Sequence, residues 1–131
     1  MGLTRDTGPG HIARAFLEGV ALQNAEILLA MDKDAAGVAR LKSIKVDGGA
    51  SANNLLMQLQ TDLLNITCVR PRVIETTALG AACLAGLGSG MYSDLAAVRQ
   101  AWKEDRVFHP RMKDEERNAL LSKWARAVAV A

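Results

Sequence analysis

The chain has 131 residues, of which 50% are hydrophobic, 23% are charged and 4% are aromatic. This composition is typical of one globular domain, and the net charge of +2 is too small to require a nucleic acid or an acidic membrane as a partner. There is no secretory signal pattern, and no apolar run approaches the length of about 18 residues that would span a membrane. Two isolated cysteines, Cys68 and Cys83, predict buried thiols of a cytoplasmic protein rather than a structural metal site.

A long amphipathic helix is predicted near the start of the chain. Residues 2–10 are rich in turn formers, and from His11 the apolar residues recur at spacings of three and four until about residues 34–37. His11 is expected to start the helix rather than to act in catalysis, and Arg14 and Glu18 are expected to form a solvated or interdomain pair. The apolar positions are Ile12, Ala15, Phe16, Val20, Ile27, Ala30 and Met31.

The stretch from residue 46 to residue 54, called the glycine turn below, follows a short strand predicted at residues 41–46. Its adjacent glycines, Gly48 and Gly49, allow the backbone to approach a ligand closely because glycine has no Cβ. A helix that begins directly after such a turn points N–H groups and a positive dipole end into the same space. This geometry suits a nucleotide, but it is equally that of an ordinary strand-to-helix turn.

Polar residues around the turn leave two interpretations open. Ser51, Asn53 or Asn54 can each cap the second helix, and Asn53 offers a donor and an acceptor to a ligand as well. Asp47 is the only carboxylate of the turn, and we expect it to brace the turn rather than to bind magnesium or act as a general base. The apolar face predicted for the second helix consists of Leu55, Leu56, Leu59, Leu63 and Leu64.

The remaining chain predicts one more short strand and three helices. Residues 66–69 form the strand, which is closed by Pro71, and a third helix runs to about Leu87, with Thr76 and Thr77 expected as caps rather than as phosphate ligands. Its small residues, Ala78, Ala81, Ala82, Ala85 and Gly86, would let a neighbouring element approach closely.

The C-terminal third predicts a short helix at residues 94–103, an extended connector at residues 107–112 and a final helix at residues 113–130. Trp102 and Trp124 are expected to be core or edge anchors rather than stacking platforms for a base. The final helix has an expected inward face of Leu120, Leu121, Trp124 and Val128.

The order of the elements predicts a parallel pair of strands joined by a right-handed crossover. Two short strands make a narrow sheet for a chain of this length, so we expect that strands are missing and that an apolar face is exposed. The chain is therefore expected to form a homo-oligomer or to be marginally stable. A dinucleotide-binding fold is disfavoured because the third glycine and the acidic residue of its motif are absent.

Several blocks of the sequence resemble the FGGY family of carbohydrate kinases, in the same order along the chain. Gly2-Leu3-Thr4 and the later run HIARAFLE resemble the second signature of the family. The run KVDGGASANNLLMQLQTDLL resembles the segment that carries the adenosine-binding turn in those kinases. The runs RPRVIETTALGAACLAGLGSG and FHPRMKDEERNALLSKWARAV are similar to the glycerol kinases within the family.

This resemblance implies an α/β fold, namely part of an actin-like ATPase domain of the ribonuclease H-like type, helix-rich with a short parallel strand pair. Residues 1–131 would be the C-terminal part of the second, nucleotide-binding kinase domain, and the N-terminal domain would be absent. The polyol-binding residues, the phosphate loop, the catalytic aspartate and the magnesium ligands would also lie outside the chain.

The resemblance further implies the reaction, which is transfer of the γ-phosphoryl group of ATP to glycerol with magnesium bridging the phosphates. Gly49 would lie against ATP or ADP, Gly48 and Ala50 would complete the turn, and Asn53 would hydrogen-bond near the adenine or ribose. The chain would thus supply the adenosine side of the site and be inactive by itself. The alternative is a non-enzymatic nucleotide-binding or assembly module of actin-like fold.

Overall fold

A computed structural model describes residues 2–35 and 40–130. The elements in these ranges are α1 (Pro9–Asp34), β1 (Ser43–Lys45), a 3-10 helix (Gly49–Ala52), α2 (Asn54–Leu64), β2 (Thr67–Pro71), α3 (Thr76–Gly88), α4 (Leu95–Ala101), β3 (Glu104–Phe108) and α5 (Asp114–Val128). Helix α1 ends at Asp34 as predicted, and the alternative end at Gly37 lies outside the described residues. In the described ranges, no helix is both long and apolar enough to cross a membrane.

The sheet has three strands in the order β1-β2-β3. Strand β1 pairs with β2 in parallel, with Ser43 opposite Thr67, which confirms the predicted parallel pair. A third strand was not predicted: Glu104–Phe108 forms β3, antiparallel to β2, and it includes residues 107 and 108 of the predicted connector, whereas residues 109–112 do connect β3 to α5. Three exposed polar residues begin this edge strand, so it lacks the apolar alternation by which strands are recognised.

Helix α2 forms the centre of the core, and α1 packs along it. Eight of the 11 residues of α2 are buried, and α1 contributes the buried residues Ala21, Leu22 and Ala25. The apolar positions predicted for the first turns of α1 were not buried, since Ile12 and Phe16 are 58% and 71% exposed. At 1.5 Å per residue, α1 is about 39 Å long and α2 about 17 Å, so the shorter helix cannot cover the longer one.

Asp62 fastens the segment after β3 to α2. Its Oδ1 atom accepts hydrogen bonds from Arg111 N at 2.7 Å, Met112 N at 3.3 Å and Gln58 Nε2 at 3.0 Å. The segment then leads into α5, which packs Leu120, Leu121 and Trp124 against the core. Val128, also predicted to face inward, is 48% exposed.

Trp124 is an edge anchor as predicted, because its ring packs against the core and its Nε1 donates to Glu26 Oε2 at 3.0 Å. Two predictions for the surface of α1 are also confirmed. Arg14 Nε lies 2.6 Å from Glu18 Oε1, and His11 Nδ1 accepts from Gly8 N at 3.1 Å at the helix start.

Gly86 is the one buried position of the small-residue face of α3 in the described part of the chain. The alanines of this face are exposed. A Cβ at Gly86 would lie 2.7 Å from Tyr92 Cδ2, so the close approach predicted for this face is made by the Tyr92 ring from the turn that follows α3.

The two cysteines differ in their surroundings. Cys68 on β2 is fully buried and Cys83 on α3 is half-buried. Burial raises the pKa of the Cys68 thiol, because the thiolate is disfavoured away from water. Cys68 is therefore a neutral core residue at physiological pH and not an attacking thiolate.

We predict that Asp62→Ala lowers the free energy of unfolding by about 3 kcal/mol, because it leaves backbone donors of the β3–α5 segment without their acceptor. Urea denaturation followed by circular dichroism measures this change. Glu18→Gln is the control, since an exposed ion pair is worth less than about 1 kcal/mol. Equal losses in the two variants would contradict the role given to Asp62.

Candidate nucleotide-binding turn

Backbone hydrogen bonds fix both the entry and the bend of the glycine turn. Val46 N donates to Val69 O at 3.1 Å, and Gly48 N donates to Ile74 O at 2.7 Å. Gly48 has φ +76° and ψ 167°, a conformation found almost exclusively in glycine. Gly48 is therefore required by the bend itself.

The turn has a buried inner side and an open outer side. Ser51 is 1% exposed, and its Oγ donates to Gly48 O at 2.7 Å. Gly49 and Ala50 are exposed, and a Cβ at Gly49 would have no atom within 4 Å. The space in front of Gly49 can therefore receive a ligand.

Asn53 is the cap of α2 among the three candidates that the sequence offered. Its Oδ1 accepts from Leu55 N at 3.0 Å and from Leu56 N at 3.1 Å. Its Nδ2 amide group makes no hydrogen bond within the described ranges, and the residue is exposed. The cap uses the oxygen of Asn53 and leaves its donor available.

Asp47 braces the turn, as expected from the sequence. Its Oδ2 accepts a short hydrogen bond from Thr76 Oγ1 and so joins the turn to the first residue of α3. The prediction that Thr76 and Thr77 cap α3 was wrong, because the cap position is Glu75 and its side chain makes no capping hydrogen bond. The Thr76 hydroxyl is turned toward Asp47 instead.

Magnesium finds no fitting set of ligands in the described residues. They contain no group of three or more His, Cys, Asp or Glu side chains that could hold a metal ion, and Asp47 is the one carboxylate within residues 46–54. The side chains of the described residues therefore do not fit a magnesium ion.

Two grooves flank β1 and the glycine turn. One, of about 430 Å³, lies beside α1 and includes Ala50 and Ser51 in its lining. The other, of about 710 Å³, lies beside α3 and α4 and is lined in part by Trp102. Lys45 Nζ lies 4.3 Å from the centroid of the Trp102 ring, so this ring anchors a cation at the edge of the groove.

Sequence reasoning missed Arg70, which lies behind the turn. Its Nη1 atom donates to Ser51 O at 2.9 Å and to Asn54 Oδ1 at 2.9 Å. The available signal was a single cation in the otherwise uncharged strand TCVRP, but hydrophobic periodicity does not reveal what such a residue contacts.

Comparison with known protein families gives a match over more than half of the chain. The profile described as the C-terminal domain of the FGGY family of carbohydrate kinases matches residues 1–89. Among curated relatives, glycerol kinase of Aromatoleum aromaticum is 54% identical over 97% of this chain and 25% of its own length. Glycerol kinase of Deinococcus radiodurans is 53% identical over 98% of this chain and 25% of its own length.

Solved structures agree with this match. Plasmodium falciparum glycerol kinase, crystallised with ADP, is 37% identical and superposes with a TM-score of 0.82 over 98% of this chain and 26% of its own. Xylulose kinase from Rhodospirillum rubrum, at 23% identity and a TM-score of 0.73 over 99% of this chain and 26% of its own, shares the fold.

The chain thus has the actin-like fold of these kinases, here helix-rich with a small mixed sheet, and it spans about a quarter of the length of the curated relatives it matches. It belongs to the FGGY family of carbohydrate kinases, in which it matches the C-terminal segment of the glycerol kinases.

Proposed function

We propose that residues 1–131 form the C-terminal part of the nucleotide-binding domain of a kinase that transfers the γ-phosphoryl group of ATP to glycerol. In this proposal the chain supplies the adenosine side of the ATP site. The observation that carries it is the likeness to a glycerol kinase crystallised with ADP, combined with a glycine turn whose outer side is open.

Each residue of the proposed site has a distinct task. Gly48 makes the bend, and Gly49 and Ala50 present a backbone surface without large side chains to the nucleotide. Asn53 donates from Nδ2 to an acceptor on the adenine or ribose, while its Oδ1 remains on the cap. These residues therefore hold the uncharged adenosine part of the nucleotide by van der Waals contact and by one hydrogen bond from Asn53 Nδ2.

Backbone N–H groups at the start of α2 are already hydrogen-bonded, which favours adenosine over phosphate as the group bound at the turn. Phosphate sites at helix starts use free backbone N–H groups. In this chain Asn53 Oδ1 already accepts from the N–H groups of Leu55 and Leu56. We accordingly place the phosphates, and the magnesium that would bridge them, against other parts of the full kinase.

We predict that this chain alone does not phosphorylate glycerol. Phosphoryl transfer depends on charge neutralisation and positioning around the phosphates, and loss of a general base alone costs about 10²–10⁴-fold in rate. A coupled assay for ADP release with glycerol and Mg-ATP measures this. ADP release well above that of the heat-inactivated chain would contradict the prediction.

We predict that ADP binds to this chain at the glycine turn with an affinity on the order of 1 mM. An ADP titration followed by amide shifts in NMR spectra should move the signals of Gly49 and Asn53. Gly49→Ala should weaken binding, because its new Cβ enters the open space where no protein atom lies within 4 Å.

Asn53→Asp should also weaken ADP binding, because aspartate keeps a capping oxygen but lacks the amide donor. The matched control is Gly10→Ala, which adds a Cβ to open space on α1, away from the turn. If both site variants bind ADP as tightly as the control, the nucleotide is not bound at this turn. Binding without participation in a kinase would favour the alternative, a nucleotide-binding or assembly module.

We further propose that the chain self-associates through apolar side chains that its own fold leaves exposed. Phe16 on α1 and Leu84 on α3 are 71% and 70% exposed, and exposed apolar surface drives association. Light scattering should give a mass of at least twice the 14.0 kDa of one chain. A single peak at the mass of one chain would exclude self-association.

The cytoplasmic location expected from the sequence also stays a prediction.

A further inference from the structure

Arg70 of β2 holds the carbonyl side of the glycine turn. Its side chain is 12% exposed, and Nη1 donates to Ser51 O at 2.9 Å, Ala52 O at 3.3 Å and Asn54 Oδ1 at 2.9 Å. These acceptors lie where the 3-10 helix passes into α2, so one guanidinium nitrogen binds the junction from within.

Asp105 of β3 holds the other side of the same guanidinium. Its Oδ2 lies 2.8 Å from Nε and 2.7 Å from Nη2 of Arg70. The register between β2 and β3 explains how the Asp105 side chain reaches Arg70. Arg70 is opposite Arg106 and Pro71 is opposite Glu104, so Asp105 is an extra residue without a partner on β2. Irregularities of this kind redirect side chains.

Asn53, which donates to the nucleotide in the proposed site, lies within the junction that Arg70 holds. Asn53 stands between Ala52 and Asn54, and Arg70 binds both of these neighbours. A ligand-binding group must be held within about 0.5 Å of its productive position by surrounding hydrogen bonds. Arg70 supplies such bonds on either side of Asn53.

We propose that Arg70, oriented by Asp105, is a positioning residue of the nucleotide-binding turn. It links strand β3 to the turn, so the affinity for adenosine depends on a nearly buried side chain and on a carboxylate of the edge strand. This inference rests on the proposed function, in which Asn53 and Gly49 contact the nucleotide.

Two readouts on the full 131-residue chain test this inference. Hydrogen exchange of the amides at residues 48–54 reports how firmly the turn is held, and an ADP titration reports affinity. Arg70→Met should speed exchange in the turn and weaken ADP binding about tenfold or more, since it removes several charge-assisted hydrogen bonds. Arg70→Lys should fall in between, because a single ammonium cannot reproduce the planar fork of donors.

Three further variants separate positioning from general destabilisation. Arg106→Met removes the neighbouring cation, which lies 4.8 Å from the Phe108 ring centroid, and should match the unmodified chain in both readouts. Asp105→Asn should act in the same direction as Arg70→Met, but less strongly. Asp62→Ala lowers global stability away from the turn and should leave ADP affinity within about twofold once corrected for the folded fraction.

The outcomes distinguish this inference from the proposed function. Unchanged turn exchange and ADP affinity in Arg70→Met overturn the positioning role, as does an equal loss of affinity in Asp62→Ala. If Arg70→Met does not fold, Arg70→Lys and Asp105→Asn decide by the same criteria. An unmodified chain that shows no ADP shifts contradicts the proposed function, and turn exchange alone then decides whether Arg70 holds the turn.

Discussion

The enclosure of helix α2 is the constraint on which both the fold and the proposed site depend. A helix of 11 residues is too short to be stable alone in water, and eight of these residues are buried against α1, the sheet and α5. The cap at Asn53 and the hydrogen bonds that Asp62 accepts from the segment before α5 lie toward opposite ends of this helix. Packing in the core therefore sets the position of the glycine turn at one end and the path into α5 at the other.

The turn contributes backbone shape and one neutral hydrogen-bond donor to the proposed site, rather than charge. Gly48 supplies an uncommon backbone conformation, Gly49 an open surface and Asn53 one available donor. Transfer of a phosphoryl group needs concentrated positive charge, and the described part of the chain brings no metal-binding cluster to the turn. We therefore propose that the adenosine contacts lie in this segment and that the phosphate contacts lie in other parts of a full kinase.

Sequence patterns predicted the elements whose signals are local. Helical spacing of apolar residues located α1, α2 and α5, and strand-helix-strand order predicted the parallel pairing of β1 with β2. Strand β3 was missed because an exposed, charged edge strand has no periodic apolar signal. The burial of Ala21 and Ala25 in place of Phe16 was missed because it depends on how far α2 extends along α1.

The sequence predicted only part of the site, because only the glycine turn has a local sequence signal. A glycine pair after a strand identifies a turn, but only the backbone angles show that Gly48 needs positive φ while Gly49 provides the space. Arg70 reaches the turn across 16 to 19 positions in sequence, and Thr76 reaches Asp47 across 29. Contacts at such separations depend on the assembled fold, and no local spacing rule contains them.

The most direct test of the proposed site is to locate ADP on the chain by intermolecular NOEs. We predict contacts between the adenine or ribose protons and the Hα protons of Gly48 and Gly49, together with the Nδ2 protons of Asn53. Contacts confined to the groove beside Trp102, or the absence of any contact at saturating ADP, would contradict it.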